Sequence, residues 1–516
     1  MTSIGERSRQ YYSPYANTSA RLNGRELLIG LPTKEAFKIG LDSPIDWGHI
    51  ESGLSVSGKL YLHGGQFLYF AESSLDEEGF CKLVESYSLW VGSREVRECN
   101  RRNYSWDHAT AMRIETMVML SFGGSINLET HLPVRDLVKD DIAWASEVEN
   151  IPLNNHGVFV VGALLFAKLH LREDGGLWLL NEIGRVTSLN HAVSERFPSI
   201  LDSVYGDDGW CGENSPMYDR VWINLLSGLR RSFPVELQEL GVLSKIDWIL
   251  EESDLKSRFL ILRNKRYVPR GDTPRQLTRL SPLSGTVFSK RVGIWAHSDK
   301  DLYLLATCGY SSVTHKHPDD TQVYLAYKGI DFFIDGGFHS YNYSDPRVLA
   351  LRTYAAHSVL SLSSVDSVPP WKAYAQSRPV ADPKMTEASE QYVKMTNVIN
   401  RVELTRRIEL VNQHRIEVKD SWSGVTDDKV IVRFLLANNC EWSLSGRTLK
   451  LSRLGIEIAL EFDSSVIVEE FSGERVAPFR GWYSTHSNQL IQGKCLEIQP
   501  SFPVGSGSLR YAIVLG

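Results

Sequence analysis

The spacing of apolar residues changes once along this 516-residue chain. Between residues 50 and 260 apolar side chains recur every three or four positions, as in "HGVFVVGALLFAKLHL" and "VELQELGVLSKIDWILEE", which is typical of buried helices. After Leu262 the runs are short, alternate and are rich in β-branched and aromatic residues, as in "DLYLLATCGY" and "HRIEVKDSWSG". The sequence therefore predicts an α+β multidomain protein, with a helical domain before a large antiparallel β-sandwich domain.

The change of pattern also predicts domain boundaries. The segment "RNKRYVPRGDTPRQLTRLSPLSG" is basic, contains three prolines and has no periodicity, so we interpret it as a linker. We expect a helical domain over 51–262, a linker over 263–284 and a β-sandwich domain over 285–516. The fold of residues 1–50 stays open.

Composition excludes some classes of partner. A net charge of −6 argues against broad nucleic-acid binding. The longest apolar run, "VFVVGALLFA", is about half of the roughly 20 residues that a membrane-spanning helix needs. The first residues lack the apolar core of a signal peptide, so the chain as given is expected to be cytoplasmic, or periplasmic or secreted if a signal was removed. A homo-oligomer is compatible with this composition.

The stretch "THKHPDDTQVYLAYKGIDFFIDGGF" concentrates titratable residues beside an apolar run. On an extended strand His315 and His317 would face the same side. A hairpin turning at Lys328-Gly329 would return Asp335 to them, and His357 is a further candidate. Two imidazoles and a carboxylate are a plausible zinc set. Spacing alone is equally compatible with an exposed turn in which Asp335 caps the following glycines.

Three other motifs carry polar residues at the starts of helical patterns: "SWDHATAMR" (105–113), "NNHGVFV" (154–160) and "DGWCGENSPMYDR" (208–220). An Asn before a helix is a good N-cap, which explains one of the two asparagines and leaves His156 unexplained. Ser215 and Pro216 fit a cap and a first helical turn. Tyr218 would follow on that turn, where an isolated Tyr is more often core than catalytic.

In this order the motifs resemble those of the heparinase II/III-like polysaccharide lyases, over roughly residues 100–365. The resemblance implies an incomplete (α/α) toroid followed by an antiparallel β-sandwich. It also implies a set of site residues, with no organic cofactor and with zinc in a structural role in some members. Asn155 and His156 match groups that neutralise a uronate carboxylate; Tyr218 and His315 match the catalytic pair; His317, Asp335 and His357 match zinc ligands; and His108, Arg113 and Glu213 lie at substrate-binding positions. Ser358 departs from the Asn of many members.

The resemblance implies a lyase that cleaves an acidic, uronic-acid-containing polysaccharide or oligosaccharide by β-elimination. Donors around the carboxylate would stabilise enolate-like charge, while Tyr218 and His315 would serve as acid and base in an order that the sequence leaves open. Two alternatives remain. One is a glycoside hydrolase on the same toroid, using a pair among Asp207, Asp208, Glu213 and Asp219. The other is a non-enzymatic protein of glycan binding or polysaccharide assembly.

Overall fold

The structure is a computed structural model that describes residues 17–100, 106–173, 186–376, 379–424, 428–500 and 506–516. The chain forms two compact units. The first runs to Asp207 and includes Asn224–Leu250, and the second comprises Asp208–Ile223 and Glu251–Gly516. Among the described residues, no helix combines the length and apolar character needed to cross a membrane.

The first unit begins with a three-stranded antiparallel sheet of β1 (Ser19–Asn23), β2 (Glu26–Gly30) and β3 (Ala36–Gly40), and then becomes helical. Among the described residues up to 257, the helices are α1 (Trp47–Ser52), α2 (Val56–Gly64), α3 (Phe67–Ala71), α4 (Glu77–Val91), α5 (Arg94–Asn100), α6 (Trp106–Phe122), α7 (Leu132–Ala145), α8 (Asn155–Glu173), α9 (Val186–Tyr205), α10 (Pro216–Ser232), α11 (Pro234–Glu239) and α12 (Leu243–Ser257). The start of α10, to Ile223, and the end of α12, from Glu251, belong to the second unit.

Local sequence explains where these helices begin. The side chain of Asp76 accepts a hydrogen bond from the Gly79 amide at 2.8 Å and so caps α4. Helix α6 packs against α2 and α8, and its Met112 lies so close to Gly64 that a Cβ there would come within 2.6 Å of the Met side chain. Glycine at this position lets the two helices approach.

The second unit is built mainly from strands. They are β4 (Gly285–Ser289), β5 (Ile294–Ser298), β6 (Leu302–Thr307), β7 (Gln322–Tyr327), β8 (Ile330–Phe333), β9 (Leu360–Leu362), β10 (Ala381–Ala388), β11 (Tyr392–Ile399), β12 (Val402–Asn412), β13 (Arg415–Ser423), β14 (Val430–Leu436), β15 (Glu441–Ser445), β16 (Thr448–Arg453), β17 (Ile456–Phe462), β18 (Val466–Phe471), β19 (Trp482–His486), β20 (Gln489–Gln492), β21 (Lys494–Pro500) and β22 (Gly507–Leu515). Two short helices interrupt them, α13 (Pro346–Ala350) and α14 (Pro370–Ala373).

Two large antiparallel sheets face each other across the main core of this unit. One has the order β10-β11-β12-β13-β22-β17-β16-β15, and the other the order β18-β21-β14-β8-β7-β6-β5-β4, with β9 paired to β14. Phe434 on β14 packs against Tyr511 on β22, with ring centroids 6.2 Å apart. Strands β6 and β7 are buried along their whole length, because a second apolar cluster covers the other face of their sheet. The predicted fold class, helices followed by an antiparallel β-sandwich, is confirmed.

Candidate active site

The two histidines of the HxH motif lie in the loop before β7. Their spacing had instead suggested an extended strand. His315 has a φ of 55°, in the left-handed region, so the same-side argument for an extended strand is wrong here. The two rings nevertheless meet at one group. His315 Nδ1 lies 3.0 Å from Asp272 Oδ2, and His317 Nε2 lies 3.0 Å from Asp272 Oδ1.

Asp272 is the centre of this cluster, and sequence reasoning missed it. Its exposed fraction is 0%. Burial alone would raise the pKa of its carboxyl, but Arg352, whose Nε lies 3.4 Å away, and the two histidines hold that pKa well below its usual value. The residue comes from the segment interpreted as a linker, where neither a motif nor a period marked it.

Two tyrosines join the cluster through their hydroxyl groups. The ring of Tyr218, on the first turn of α10, stacks on the ring of His315 with centroids 3.3 Å apart. Its hydroxyl lies 3.0 Å from that of Tyr341, which donates to Asp272 Oδ2 at 3.0 Å and lies 3.2 Å from His315 Nδ1. Burial around its hydroxyl group and the neighbouring Asp272 raise the pKa of Tyr341 well above its usual value, although its side chain is partly exposed. Tyr341 was not among the predicted residues.

Backbone segments cross closely beneath these side chains. A Cβ at Gly271, whose φ is 54°, would come within 2.4 Å of the His315 carbonyl oxygen and 2.5 Å of the Asn214 carbonyl oxygen. The Asn214 side chain donates to the carbonyl oxygens of Ser312 and Thr314, each at 3.0 Å. Only glycine fits at 271, and the crossing fixes the loop that carries His315.

Glu213, predicted to bind substrate, lies next to His315, one of the two residues predicted to be catalytic. Its carboxylate is almost fully buried, and its Oε2 lies 3.6 Å from His315 Nε2. The structure therefore places this carboxylate against the imidazole of His315.

His317, Asp335 and His357 converge as predicted. One ligand atom from each lies within 4.8 Å of the others, and all three residues are buried. Asp335 also accepts a hydrogen bond from the Gly337 amide at 2.6 Å, so it caps the turn as well as facing His357 Nδ1 at 3.0 Å.

The chemistry of this triad fits a zinc ion. Within the described part of the chain, His317 Nδ1 and His357 Nε2 are buried ring nitrogens that have no hydrogen-bond partner. Burial lowers the pKa of His317, which favours the neutral imidazole that a metal ligand requires. Two imidazoles and a carboxylate are a zinc-type donor set. Ser358, which stands where many family members have Asn, instead donates to the Ile334 carbonyl oxygen at 3.0 Å.

Lys316, between the two histidines, points into a separate buried pocket. Its exposed fraction is 1%, its Nζ lies 3.0 Å from Asp320 Oδ1, and it also contacts Asp319 Oδ1. Although burial disfavours a charged carboxyl, Lys316 and Arg270 lower the pKa of Asp319. The middle residue of the HKH tripeptide is thus an anchor for the loop.

The first unit holds its own polar cluster at the start of α8. Asn154 caps the helix, because its side chain accepts from the His156 amide at 2.9 Å, and this leaves Asn155 as the first helical residue. His156 Nδ1 lies 3.0 Å from Asp107 Oδ1. Asp107, on the first turn of α6, was not predicted, and it orients His156. A Cβ at Gly157 would lie 1.9 Å from the Pro152 carbonyl oxygen, so the start of α8 also requires glycine.

The other two residues predicted to bind substrate are His108 and Arg113, and they lie in different surroundings. His108 stacks on Phe159 with centroids 4.2 Å apart and lies 5.2 Å from the ring of His156. Burial lowers its pKa to about 3, so the ring is neutral. Arg113 corrects the prediction: its exposed fraction is 1%, and its Nε and Nη2 donate to Asp141 at 2.7 and 3.0 Å. This buried ion pair leaves its guanidinium unavailable to a substrate.

Aromatic side chains lie at the open side of the second-unit cluster. The Arg352 guanidinium lies 5.8 Å from the ring centroid of Tyr343, and Tyr343 lies 6.2 Å from Trp371. Trp371 is 46% exposed, as is Tyr341. Exposed aromatic rings next to a polar cluster are suited to stack on sugar rings.

Comparison with known proteins gives a consistent result. The family model described as "Heparinase II/III-like, C-terminal" matches residues 284–501. The solved structure of heparinase III is similar with 14% identity, a TM-score of 0.66, and coverage of 93% of this chain and 80% of that one. Heparan sulfate lyase HepC from Pedobacter heparinus shares 14% identity, with a TM-score of 0.60 and coverage of 94% and 80%. The heparinase III BT4657 gene product shares 12% identity, with a TM-score of 0.60 and coverage of 92% and 80%.

At these identities the solved structures show the fold alone, which is the incomplete (α/α) toroid and β-sandwich implied by the sequence motifs. A search of curated proteins finds no match. The family model covers the loop of His315 and the three candidate metal ligands. Residues 284–501 therefore match the heparinase II/III-like C-terminal domain, and the chain shares the fold of the solved heparinase III structure.

Proposed function

We propose that the protein cleaves a uronic-acid-containing polysaccharide or oligosaccharide by β-elimination, with Tyr218 and His315 transferring the protons. The observation that carries this proposal is the stacked pair itself, with ring centroids 3.3 Å apart and the Tyr218 hydroxyl in the network of Tyr341 and Asp272. A phenol and an imidazole side by side provide one group to remove a proton and another to donate one.

The reaction needs two proton transfers on one sugar unit. A base takes the C5 proton of the uronate, the electron pair forms a C4–C5 double bond, and the C4–O bond breaks as an acid protonates the leaving oxygen. Tyr218 and His315 share these two roles. Asp272, hydrogen-bonded at Nδ1, holds the His315 ring in place.

The uronate carboxylate must be neutralised before its C5 proton becomes acidic enough to remove. We assign this to Asn155 and His156, following the family motif. Asp107 supports the assignment, because its contact with His156 Nδ1 fixes the orientation of the ring. Donors already in place stabilise the charge that develops in the transition state.

His317, Asp335 and His357 would hold a zinc ion in a structural role. When bound, that ion would supply a fixed anchor for the loop that carries His315. The exposed rings of Trp371 and Tyr341 would contact sugar units of the substrate.

Two of the four carboxylates considered for hydrolysis, Asp208 and Asp219, are engaged by other side chains. Asp208 accepts hydrogen bonds from Arg291 Nε at 3.0 Å and from its Nη2 at 2.9 Å, and Asp219 is buried and accepts one from Ser253. An inverting or retaining hydrolase needs two opposed carboxyl groups at the scissile bond. The geometry therefore favours elimination.

The test is a panel of uronate polymers and oligomers: heparan, chondroitin, hyaluronan, alginate and glucuronan. Elimination generates a conjugated, UV-absorbing uronate at the new non-reducing end, and hydrolysis does not. We expect a rise in UV absorbance with at least one member, together with an unsaturated product identified by mass spectrometry. Cleavage to saturated ends would refute the proposal.

A further inference from the structure

We infer that Asp272 is a positioning residue that sets the proton location on two histidines at once, with opposite ring nitrogens protonated in each. Its two carboxylate oxygens face His315 Nδ1 and His317 Nε2, both at 3.0 Å. One buried carboxylate thus links the proposed catalytic imidazole to the candidate metal triad.

The tautomers follow from hydrogen-bonding chemistry. An ionised carboxylate only accepts, so the ring nitrogen that faces each oxygen must carry the proton. In the neutral ring the other nitrogen then has a lone pair. These other nitrogens are His315 Nε2 and His317 Nδ1, and among the described residues neither has a hydrogen-bond partner. The contacts with Asp272 and the unpartnered opposite nitrogens therefore indicate the same tautomer for each ring.

Each lone pair has a different use. His317 supplies one of the three ligand atoms that meet at the candidate metal site with Asp335 and His357, and Nδ1 is its nitrogen left unpartnered. His315 Nε2 lies on the side of Glu213, 3.6 Å from its Oε2, and carries the lone pair that the proposed proton transfer would use. A swap of either tautomer would place a proton where a lone pair is needed.

Asp272 is itself held in place. Arg352 Nε lies 3.4 Å from Oδ1, the Tyr341 hydroxyl donates to Oδ2 at 3.0 Å, and the Asp272 amide donates to the His315 carbonyl oxygen at 3.3 Å. If Asp272 served only to balance the charge of Arg352, its two carboxylate oxygens would not both need to face imidazole rings. The inference about His315 rests on the proposed function, whereas the inference about His317 concerns metal binding alone.

The first test uses the unaltered protein. Nitrogen-15 labelling of histidine and long-range NMR correlation report which ring nitrogen is protonated, and a His315→Gln variant assigns the His315 signal. We expect His315 to be protonated at Nδ1 and His317 at Nε2, with the His317 Nδ1 signal shifting when zinc is added. Protonation of His317 at Nδ1, or of neutral His315 at Nε2, would overturn the inference.

The second test is Asp272→Asn, which keeps the size but offers an acceptor on one side and a donor on the other. The substituted side chain would therefore accept a hydrogen bond from only one of the two histidines in their present orientations. Loss of such an outer partner typically costs 10–100-fold in metal affinity or activity. We expect at least a tenfold loss in zinc affinity, in kcat, or in both, with KM within threefold of wild type.

The matched control is Asp331→Asn, a buried acid that accepts from the Tyr324 hydroxyl at 2.7 Å and also pairs with Arg275. It should leave zinc affinity and kcat unchanged. Unchanged zinc affinity and kcat in Asp272→Asn, or a change in KM alone, would overturn the positioning role. A wild-type protein that binds no zinc would overturn the metal half. Zinc binding and tautomers as expected, without lyase activity on any uronate polymer, would refute the proposed function and leave the His317 assignment standing.

Discussion

Replacing Tyr218 by Phe separates catalysis from folding at this site. The change removes one hydroxyl, whose hydrogen bond to Tyr341 spans 3.0 Å, and keeps the ring that stacks on His315. Loss of one hydrogen bond costs about 0.5–1.5 kcal/mol of folding free energy. Loss of a positioned proton-transfer group costs ~10²–10⁴-fold in rate, or about 2.7–5.4 kcal/mol of activation free energy. The effect on kcat should therefore exceed the effect on stability.

The assay is initial-rate UV absorbance on a substrate already shown to yield the unsaturated product, alongside thermal unfolding. The control is Tyr303→Phe, which removes another hydroxyl that makes a hydrogen bond of 3.0 Å, here to the Phe259 carbonyl oxygen. It should lower stability by a similar amount and leave kcat unchanged. Full activity in Tyr218→Phe would show that this hydroxyl moves no proton in the rate-limiting step, and the mechanism would be refuted even with the fold correct.

Three further outcomes are expected. Asn155→Ala should slow kcat by roughly 10²–10³-fold, as loss of a preorganised donor does, while KM changes little; an equal loss in both would indicate a binding role. In thermal unfolding, Gly157→Ala should destabilise the protein by about 1–3 kcal/mol, because its Cβ would overlap a backbone oxygen. Gly228→Ala, with no atom within 4 Å of its new Cβ, should instead stabilise its helix by up to about 1 kcal/mol. His108 has a folded-state pKa of about 3 against an ordinary 6.5, so the unfolded chain takes up its proton first as pH falls below that ordinary value. The wild type should lose about 2 kcal/mol more stability than His108→Gln between pH 7 and pH 5 in urea unfolding, and equal losses would contradict the buried neutral ring.

Local sequence indicated how two of the three candidate metal ligands meet. The strands on either side of Lys328-Gly329 are short apolar runs, and both turn residues adopt positive φ, at 49° and 76°. The resulting hairpin pairs Tyr327 with Ile330 and returns Asp335 towards His317. A two-residue turn fixes the register within a few residues, so this part of the site was predictable.

Asp272 and Tyr341 were not predictable in the same way. Asp272 meets His315 across 43 residues, and Tyr341 meets Tyr218 across 123. Only tertiary packing creates these contacts, and neither residue stands in a motif or a periodic run. Arg113 failed for a related reason: its helix position was recognised, but the buried partner Asp141 lies 28 residues away and decides that the side chain points inward.

The anchoring of Lys316 has a consequence for protein engineering and for evolution. An HxH pair transplanted into another scaffold would bring the two imidazoles but not the buried acids that hold the residue between them, Asp319 and Asp320. Replacing Lys316 by an apolar residue would remove the cation that contacts both acids, and loss of one partner of a buried ion pair typically costs about 3–5 kcal/mol. A lineage could therefore exchange either histidine, and lose activity while keeping the fold, more easily than it could exchange the lysine. We expect inactive descendants of such an enzyme to keep Lys316 and both acids long after the histidines have drifted.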